Sequence, residues 1–182
     1  MVSTLEVSLK IEENFSSERL SASRIQYDDW PDLLQAVTSE LFPRDLGLSR
    51  IKTELDAQNW HRGRVIDWNE SKCFVWSIRW NGESEVIGQL SLLPRKNDIA
   101  LAYWVNPKCW GEGVTTEMCS ALIEVLANSG FDGTIWAGTH TWNGRSSSVL
   151  NRLGFKFKGE VEHAYEGRID TICEYTFAVE NR

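Results

Sequence analysis

The sequence predicts a mixed α/β fold in which antiparallel hairpins precede a strand–helix–strand unit, and three observations predict it. An Asn81-Gly82 pair stands between two β-rich runs, a strong local hairpin signal. The run Ile99–Val105 is almost wholly apolar, as a strand at a sheet centre is. Behind it Met118, Ala121, Leu122, Val125 and Leu126 recur at helical spacing. The 182 residues contain no repeat, low-complexity tract or Gly/Ser/Pro linker, so one domain over residues 1–182 is expected.

Taken in order, Leu5, Val7, Leu9 and Ile11 alternate with polar residues and predict a half-buried strand over 4–11. A second strand is expected over Leu20–Ile25. Asp28 or Asp29 caps a helix running to about Leu41, with Pro31 in its first turn and Leu33, Leu34, Val37 and Leu41 on one face. Residues 42–47 read as a loop, and Ser49 as the cap of a longer helix through Leu55, Trp60 and Val65. Strands follow over Phe74–Ile78, Val86–Leu92 and Ile99–Val105, then the periodic helix, which ends between Asn128 and Gly130. A strand over Gly133–Thr139, a short helix over Ser146–Leu153 stopped by Gly154, and strands over Phe155–Glu162 and Thr171–Val179 complete the chain.

Composition excludes several classes. Nineteen Lys and Arg against 26 Asp and Glu give a formal charge of −7, which argues against a general nucleic-acid-binding surface. No run approaches the ~20 apolar residues of a membrane span. The first residues lack the basic and apolar regions of a secretory signal. Cys73, Cys109, Cys119 and Cys173 show no CxxC spacing and read as reduced thiols of a cytoplasmic protein. His61, His140 and His163 are dispersed, so no metal site is expected. Nine Trp, more than the seven Phe or four Tyr, imply either an aromatic core or an aromatic-lined cavity.

The segment most informative for function is Trp104-Val105-Asn106-Pro107-Lys108-Cys109-Trp110-Gly111-Glu112-Gly113-Val114-Thr115-Thr116-Glu117. A central strand ends, a Pro turn follows, and two glycines one residue apart lead into an amphipathic helix. Such a loop can aim backbone N–H groups at one point near the positive end of a helix dipole, which suits phosphate oxygens. It can equally be a strand-to-helix turn whose glycines serve conformation alone. It is no Walker loop, because no Gly-Lys-Ser/Thr is present, and it lacks the third glycine of a dinucleotide fingerprint.

The run from Tyr103 to Glu117 resembles the acetyl-CoA-binding segment of the GNAT superfamily of N-acetyltransferases, most of all the branch of bacterial ribosomal-protein N-terminal acetyltransferases. Three further pieces agree in order: Ser17-Glu18-Arg19-Leu20 resembles that branch's "(T/S)-E-R-L" opening, Glu85-Val86-Ile87-Gly88-Gln89 its "liG" strand, and the run from Asn143 to Phe155 its "N-x-x-S-x-x-V-L-x-x-L-G-F" signature. The likeness spans about residues 17–178. It implies a GNAT-like, largely antiparallel twisted sheet with splayed central strands, flanked by helices, and an acyltransferase that uses acetyl-CoA and no metal.

By the same resemblance Tyr103, Trp104 and Val105 would line the pantetheine and thioester, and Trp110, Gly111, Glu112, Gly113, Val114 and Thr115 would hold the pyrophosphate. Trp110 and Thr115 occupy the first and last places of a loop often written Q/R-x-x-G-x-G/A; Thr115 either donates to the pyrophosphate or packs on the sheet. Asn143 matches an asparagine near the cofactor, and Ser146 a serine that protonates the departing thiolate; helix capping is the competing reading for both. Ile99-Ala100-Leu101-Ala102 carries none of the strand acids many GNATs use, so the base is sought at Glu162, then His163, then Glu166, with a water chain as rival. An acceptor pocket is expected from Phe42, Arg44, Trp68 and Trp76, although Arg44-Asp45 can also be a surface ion pair. The resemblance and the acidic chain imply the N-terminal amine of a protein or peptide, such as a ribosomal protein, as acceptor. The alternatives are a small amine (polyamine, antibiotic or aminoacyl toxin) and an acyl-CoA-binding module without turnover. A monomer or homodimer is expected.

Overall fold

The computed structural model describes residues 11–165 and 167–180. The strand expected over 4–11 therefore lies almost wholly outside the described residues, as does Glu166. Short strands β1 (Asn14–Ser16) and β2 (Leu20–Arg24) lead to helices α1 (Trp30–Thr38) and α2 (Glu54–Asn69). Then come β3 (Phe74–Trp80), β4 (Gly88–Pro94), β5 (Ile99–Val105), α3 (Val114–Asn128), β6 (Thr134–His140), α4 (Gly144–Arg152), β7 (Lys156–Tyr165) and β8 (Arg168–Ala178). The strands form one eight-stranded sheet in the order β1-β2-β3-β4-β5-β6-β8-β7. Every pairing is antiparallel except β5 with β6, which is parallel. This is the mixed, largely antiparallel sheet that the sequence predicts.

Two helix boundaries differ from expectation. The first helix stops at Thr38, and Leu41 is 67% exposed instead of continuing its buried face. The second starts at Glu54, five residues after Ser49. Its cap is Thr53, whose Oγ1 accepts from the Asp56 amide while the Asp56 carboxylate accepts from the Thr53 amide. Ser49 instead sits in a 3-10 turn and donates its hydroxyl to the Arg44 carbonyl. Reciprocal capping outcompetes a lone serine because it satisfies two orphan amides at once.

The sheet separates two cores. On one face α3 and α4 pack over Leu20, Trp76, Ile78, Leu90, Leu92, Leu101, Val105, Ile135 and Ala137. On the other, α1, α2 and their connecting loop cover Val75, Val86 and Trp104. The ladder with β4, from Gly88 opposite Val105 to Pro94 opposite Ile99, holds β5 in place. A Cβ added at Gly88 would stand 2.6 Å from the Trp104 carbonyl oxygen, so the glycine permits the close approach of the end of β5. No helix among the described residues is long and apolar enough to cross a membrane.

Candidate functional site

The parallel pair β5 and β6 touches at only two register positions, Ile99 with Ile135 and Ala100 with Trp136. By contrast β4 and β5 pair along seven positions. Beyond Ala100 the two central strands part, and a cavity of about 540 Å³ occupies the space between them. Period-2 alternation sends Leu101, Tyr103, Ala137 and Thr139 toward α3 and α4, and Ala102, Gly138 and His140 toward the opposite face. Both sets line the cavity, so it passes through the sheet.

The loop leaving β5 forms one end of this cavity. Asn106 caps the 3-10 turn Pro107–Cys109 by accepting the Lys108 amide at 3.1 Å. The Trp110 indole N–H donates to the Val105 carbonyl at 3.0 Å, and the Arg145 guanidinium of α4 lies 4.1 Å from its ring centroid. Gly111 and Gly113 take φ of 85° and 78°, in the left-handed region that a side chain disfavours. Gly113 is also the N-cap of α3 and offers no side chain to the helix. The first-turn amides, which have no intrahelical carbonyl to meet, are thus left for an anion at the positive end of the dipole. Thr115 lines the cavity, which favours the donating reading over packing on the sheet. Glu112 alone of the expected loop residues does not line it, and its carbonyl is taken by Arg19 at 2.9 Å.

Opposite the loop, Asn143 caps α4 by accepting the Ser146 amide at 3.2 Å, so the capping geometry exists. Both residues also line the cavity. The Ser146 hydroxyl lies 2.8 Å from the Tyr103 phenol oxygen across the gap. Burial pushes the Tyr103 phenol well above its ordinary value, so it stays protonated and can donate to Ser146, freeing the serine O–H for a third group. Buried side-chain atoms without a hydrogen-bond partner among the described residues include Thr116 Oγ1 and Thr139 Oγ1, both in the cavity wall. Uncapped amides and an Arg-flanked mouth at Arg145 and Arg152 are what a long, anionic ligand such as acetyl-CoA would satisfy.

Trp104 is fixed from the other side of the sheet. Its indole N–H donates to Gln89 Oε1 at 2.9 Å; Gln89 Nε2 in turn lies 3.3 Å from both Ser77 Oγ and His61 Nε2. The His61 Nδ1 sits 3.0 Å from the Ala57 carbonyl, which assigns the ring proton to Nδ1 and leaves Nε2 to accept from Gln89. Ser77 donates to Asp29 at 2.6 Å, and Asp29 pairs with Arg79 at 2.5 Å. Burial holds the His61 imidazole below its usual value, consistent with a neutral ring.

Behind the cavity wall at Gly138 lies the Trp136 ring: a Cβ on that glycine would meet Trp136 at 2.6 Å and Ile172 at 2.7 Å. The Trp136 indole donates to Glu174 at 2.7 Å, and Arg95 covers its ring at 4.4 Å. His163 reaches Trp136 with ring centroids 5.6 Å apart. Register places Trp136 opposite Thr176 and His163 opposite Asp170, so the hairpin end bends over this face to make that contact. Glu162 pairs with Thr171 and alternates to the α4 side, away from His163. His140, set aside by the sequence reading, lines the cavity and stacks on Trp142 at 5.3 Å.

The expected acceptor residues need correction. Trp68 and Trp76 belong to the core on the α3 side, 7% and 1% exposed, packed edge to face with centroids 5.1 Å apart. Phe42 is 2% exposed and packs on α1; Arg44 is exposed and stands outside the cavity wall. Their segment does reach the site, through Pro43 and Leu46. The aromatic side chains that do line the cavity, Tyr103, Trp104 and Trp110, come from β5 and the loop that leaves it, while Trp136 and Trp142 pack against its wall at Gly138 and His140. Among the described residues no group of three or more His, Cys, Asp or Glu could hold a metal.

The profile of the acetyltransferase (GNAT) domain matches residues 19–156. No curated protein sequence matches. Among solved structures, a ribosomal L7/L12 alpha-N-protein acetyltransferase (RimL) in complex with coenzyme A is similar, with a TM-score of 0.81, 17% identity, and 93% of this chain and 100% of that one covered. The microcin C7 self immunity acetyltransferase MccE, in complex with acetyl-CoA and AMP, gives 0.77 at 16% identity over 89% and 93%. A ribosomal-protein-S5-alanine acetyltransferase from Vibrio fischeri gives 0.73 at 15% identity over 93% and 98%. At these identities the likeness to the solved structures is one of fold.

Proposed function

The chain belongs to the GNAT acetyltransferases, and from that premise we propose that it moves an acetyl group from acetyl-CoA to the N-terminal α-amine of a protein or peptide, a ribosomal protein in the first place. The observation that carries this reading is the cavity that crosses the sheet: one end meets the glycine loop, built for an anion, and on the opposite face Pro43, Leu46, Gly138 and His140 wall it, where an amine can approach the thioester from the far side. The net charge of −7 suits a cationic acceptor such as a basic polypeptide. A ribosomal substrate also places the protein in the cytoplasm.

In this mechanism Gly111, Gly113 and Thr115 hold the pyrophosphate, with Trp110 and Val114 shaping the loop. Residues of β5 from Tyr103 to Val105 flank the pantetheine. Beyond Ala100 the β5 edge has no β6 partner, and its free N–H groups meet the thioester carbonyl, where negative charge grows as the amine nitrogen attacks. The new C–N bond forms as the C–S bond breaks. Ser146 passes its proton to the sulfur and regains one through solvent as the nitrogen sheds its second, while the Tyr103 phenol, kept protonated by burial, holds the serine oxygen with a hydrogen bond. A thiolate is a tolerable leaving group, so this donation accelerates the step without being indispensable. His163, on the acceptor face, takes the proton that the ammonium sheds; Glu162, on the opposite face, does not.

The test is mass-spectrometric: acetyl transfer to peptides beginning with Ser or Ala, set against polyamines and aminoglycosides. Acetylated peptide N-termini are expected, and activity confined to small amines would overturn the peptide reading. With peptide as acceptor, His163→Gln should lower kcat/KM about 100-fold. A loss in His140→Gln with none in His163→Gln would move the base to the cavity wall.

A further inference from the structure

The Ser17–Leu20 piece touches no expected ligand, yet its side chains converge on the cofactor loop. Arg19 Nε and Nη2 meet Glu117 Oε2 at 2.7 and 2.6 Å, and the Arg19 amide and Ser17 Oγ donate to Glu117 Oε1 at 3.0 and 2.6 Å. Arg19 Nη2 also donates to the Glu112 carbonyl at 2.9 Å, and the guanidinium lies 5.4 Å from the Trp80 ring centroid. The β1–β2 turn is thereby tied both to the loop and to the first turn of α3.

We infer that Arg19 is a positioning residue for acetyl-CoA, which locks the Glu112–Gly113 peptide plane so that the Gly113 N–H faces the pyrophosphate. No described peptide bond is cis, and in a trans peptide the C=O and the following N–H point in opposite directions. Fastening the Glu112 carbonyl to Arg19, on the β1–β2 side, turns the Gly113 N–H the other way, toward the cavity that Gly111 and Gly113 line. A lock is needed because the residue that follows this plane, Gly113, is a left-handed glycine. Glycine accepts either sign of φ, so the plane can flip at low cost and present a carbonyl oxygen to the phosphate instead of a donor. Glu117 holds the guanidinium in place, and the donors around its carboxylate keep it below its usual pKa despite its burial. Arg19 balances that charge, which would otherwise oppose an anion at the start of α3. The sequence places an acid in the first turn, where the dipole favours it, and an arginine to cancel it as seen from the ligand.

This inference rests on the use of acetyl-CoA, so wild-type protein is titrated with CoA by calorimetry first; no binding there removes the cofactor reading and the inference together. With wild-type binding in hand, Arg19→Gln should weaken CoA about tenfold, the scale of one lost oriented donor to a charged group. The KM for acetyl-CoA should rise to match, with kcat and the acceptor KM within twofold of wild type. Arg19→Lys keeps the charge but cannot span Glu117 and the Glu112 carbonyl with a planar fork, and should remain close to the glutamine variant. Restoration by lysine would assign Arg19 a simple Coulombic role and overturn the peptide-plane lock. So would unchanged CoA affinity in Arg19→Gln, or a loss that tracks a lower Tm and falls equally on both substrates.

Discussion

The two halves of the sheet differ in how their strands pair and in the polar networks they enclose, although Arg64 Nε of α2 and Asp98 Oδ1 before β5 are also buried without a hydrogen-bond partner among the described residues. From β2 to β5 the strands pair continuously, and the groups enclosed beneath α1 and α2 answer one another: Asp29 with Arg79 and Ser77, Gln89 with Ser77 and His61, Trp104 with Gln89. Between β5 and β6 the pairing ends after two positions, and Thr116 and Thr139 carry buried hydroxyls without partners among the described residues. A buried polar atom left unpaired costs about 1–3 kcal/mol. The first half is a scaffold that fixes Trp104 and with it the edge of β5; the second holds the cavity.

The sharpest way to break the contrast is to open the closed half. Asp29→Ala leaves Arg79 and Ser77 without their partner at a position 7% exposed, and should cost about 3–5 kcal/mol in chemical denaturation. A loss below about 1 kcal/mol would mean that this network is incidental to stability. On the open half the expected loss is catalytic. Ser146→Ala keeps the Asn143 cap, which binds the backbone amide, and should lower kcat about 10- to 100-fold with Tm unchanged. An equal fall in Tm would return Ser146 to a purely structural role.

The smallest effect concerns His61. Its folded-state pKa is depressed by burial, so the unfolded chain takes up a proton that the native chain refuses. The resulting stability is fully present above the unfolded value of about 6.5 and is lost as pH falls from there toward the lower folded value. Thermal unfolding at pH 7.5 and 5.5 should show a steeper decline in wild type than in His61→Gln. Equal declines would remove His61 from the acid response.

Much of the fold was legible because its signals are local. The Asn81-Gly82 turn, the apolar Ile99–Val105 strand and the periodic α3 lie within a residue or two of their predicted places, since period and turn chemistry are properties of neighbouring residues. The start of α2 was misplaced at Ser49 because the stronger reciprocal cap at Thr53 and Asp56 lies four positions on, and α1 ends before Leu41, at Thr38. In the site, Tyr103, Trp110, Gly111, Gly113, Thr115, Asn143 and Ser146 all line one cavity, because they flank a strand end and two helix starts whose motifs are contiguous. His140 and Glu174 went unnoticed: neither stands in a motif, and only alternation along β6 and β8 brings them to the Trp136 face.

The sequence by itself determined the order of elements, the glycine loop and the family to which it belongs. These depend on spacing along the chain, which sequence records directly. The tertiary structure alone decided which tryptophans are core and which flank the cavity, that Glu162 and His163 face opposite ways, and that Arg19 reaches across nearly a hundred residues to the loop. Such facts depend on which face of a strand meets which neighbour, and long-range packing sets that. Trp76 and Trp136 read alike in sequence; one is sealed beneath α3 and the other lies behind a glycine of the cavity wall.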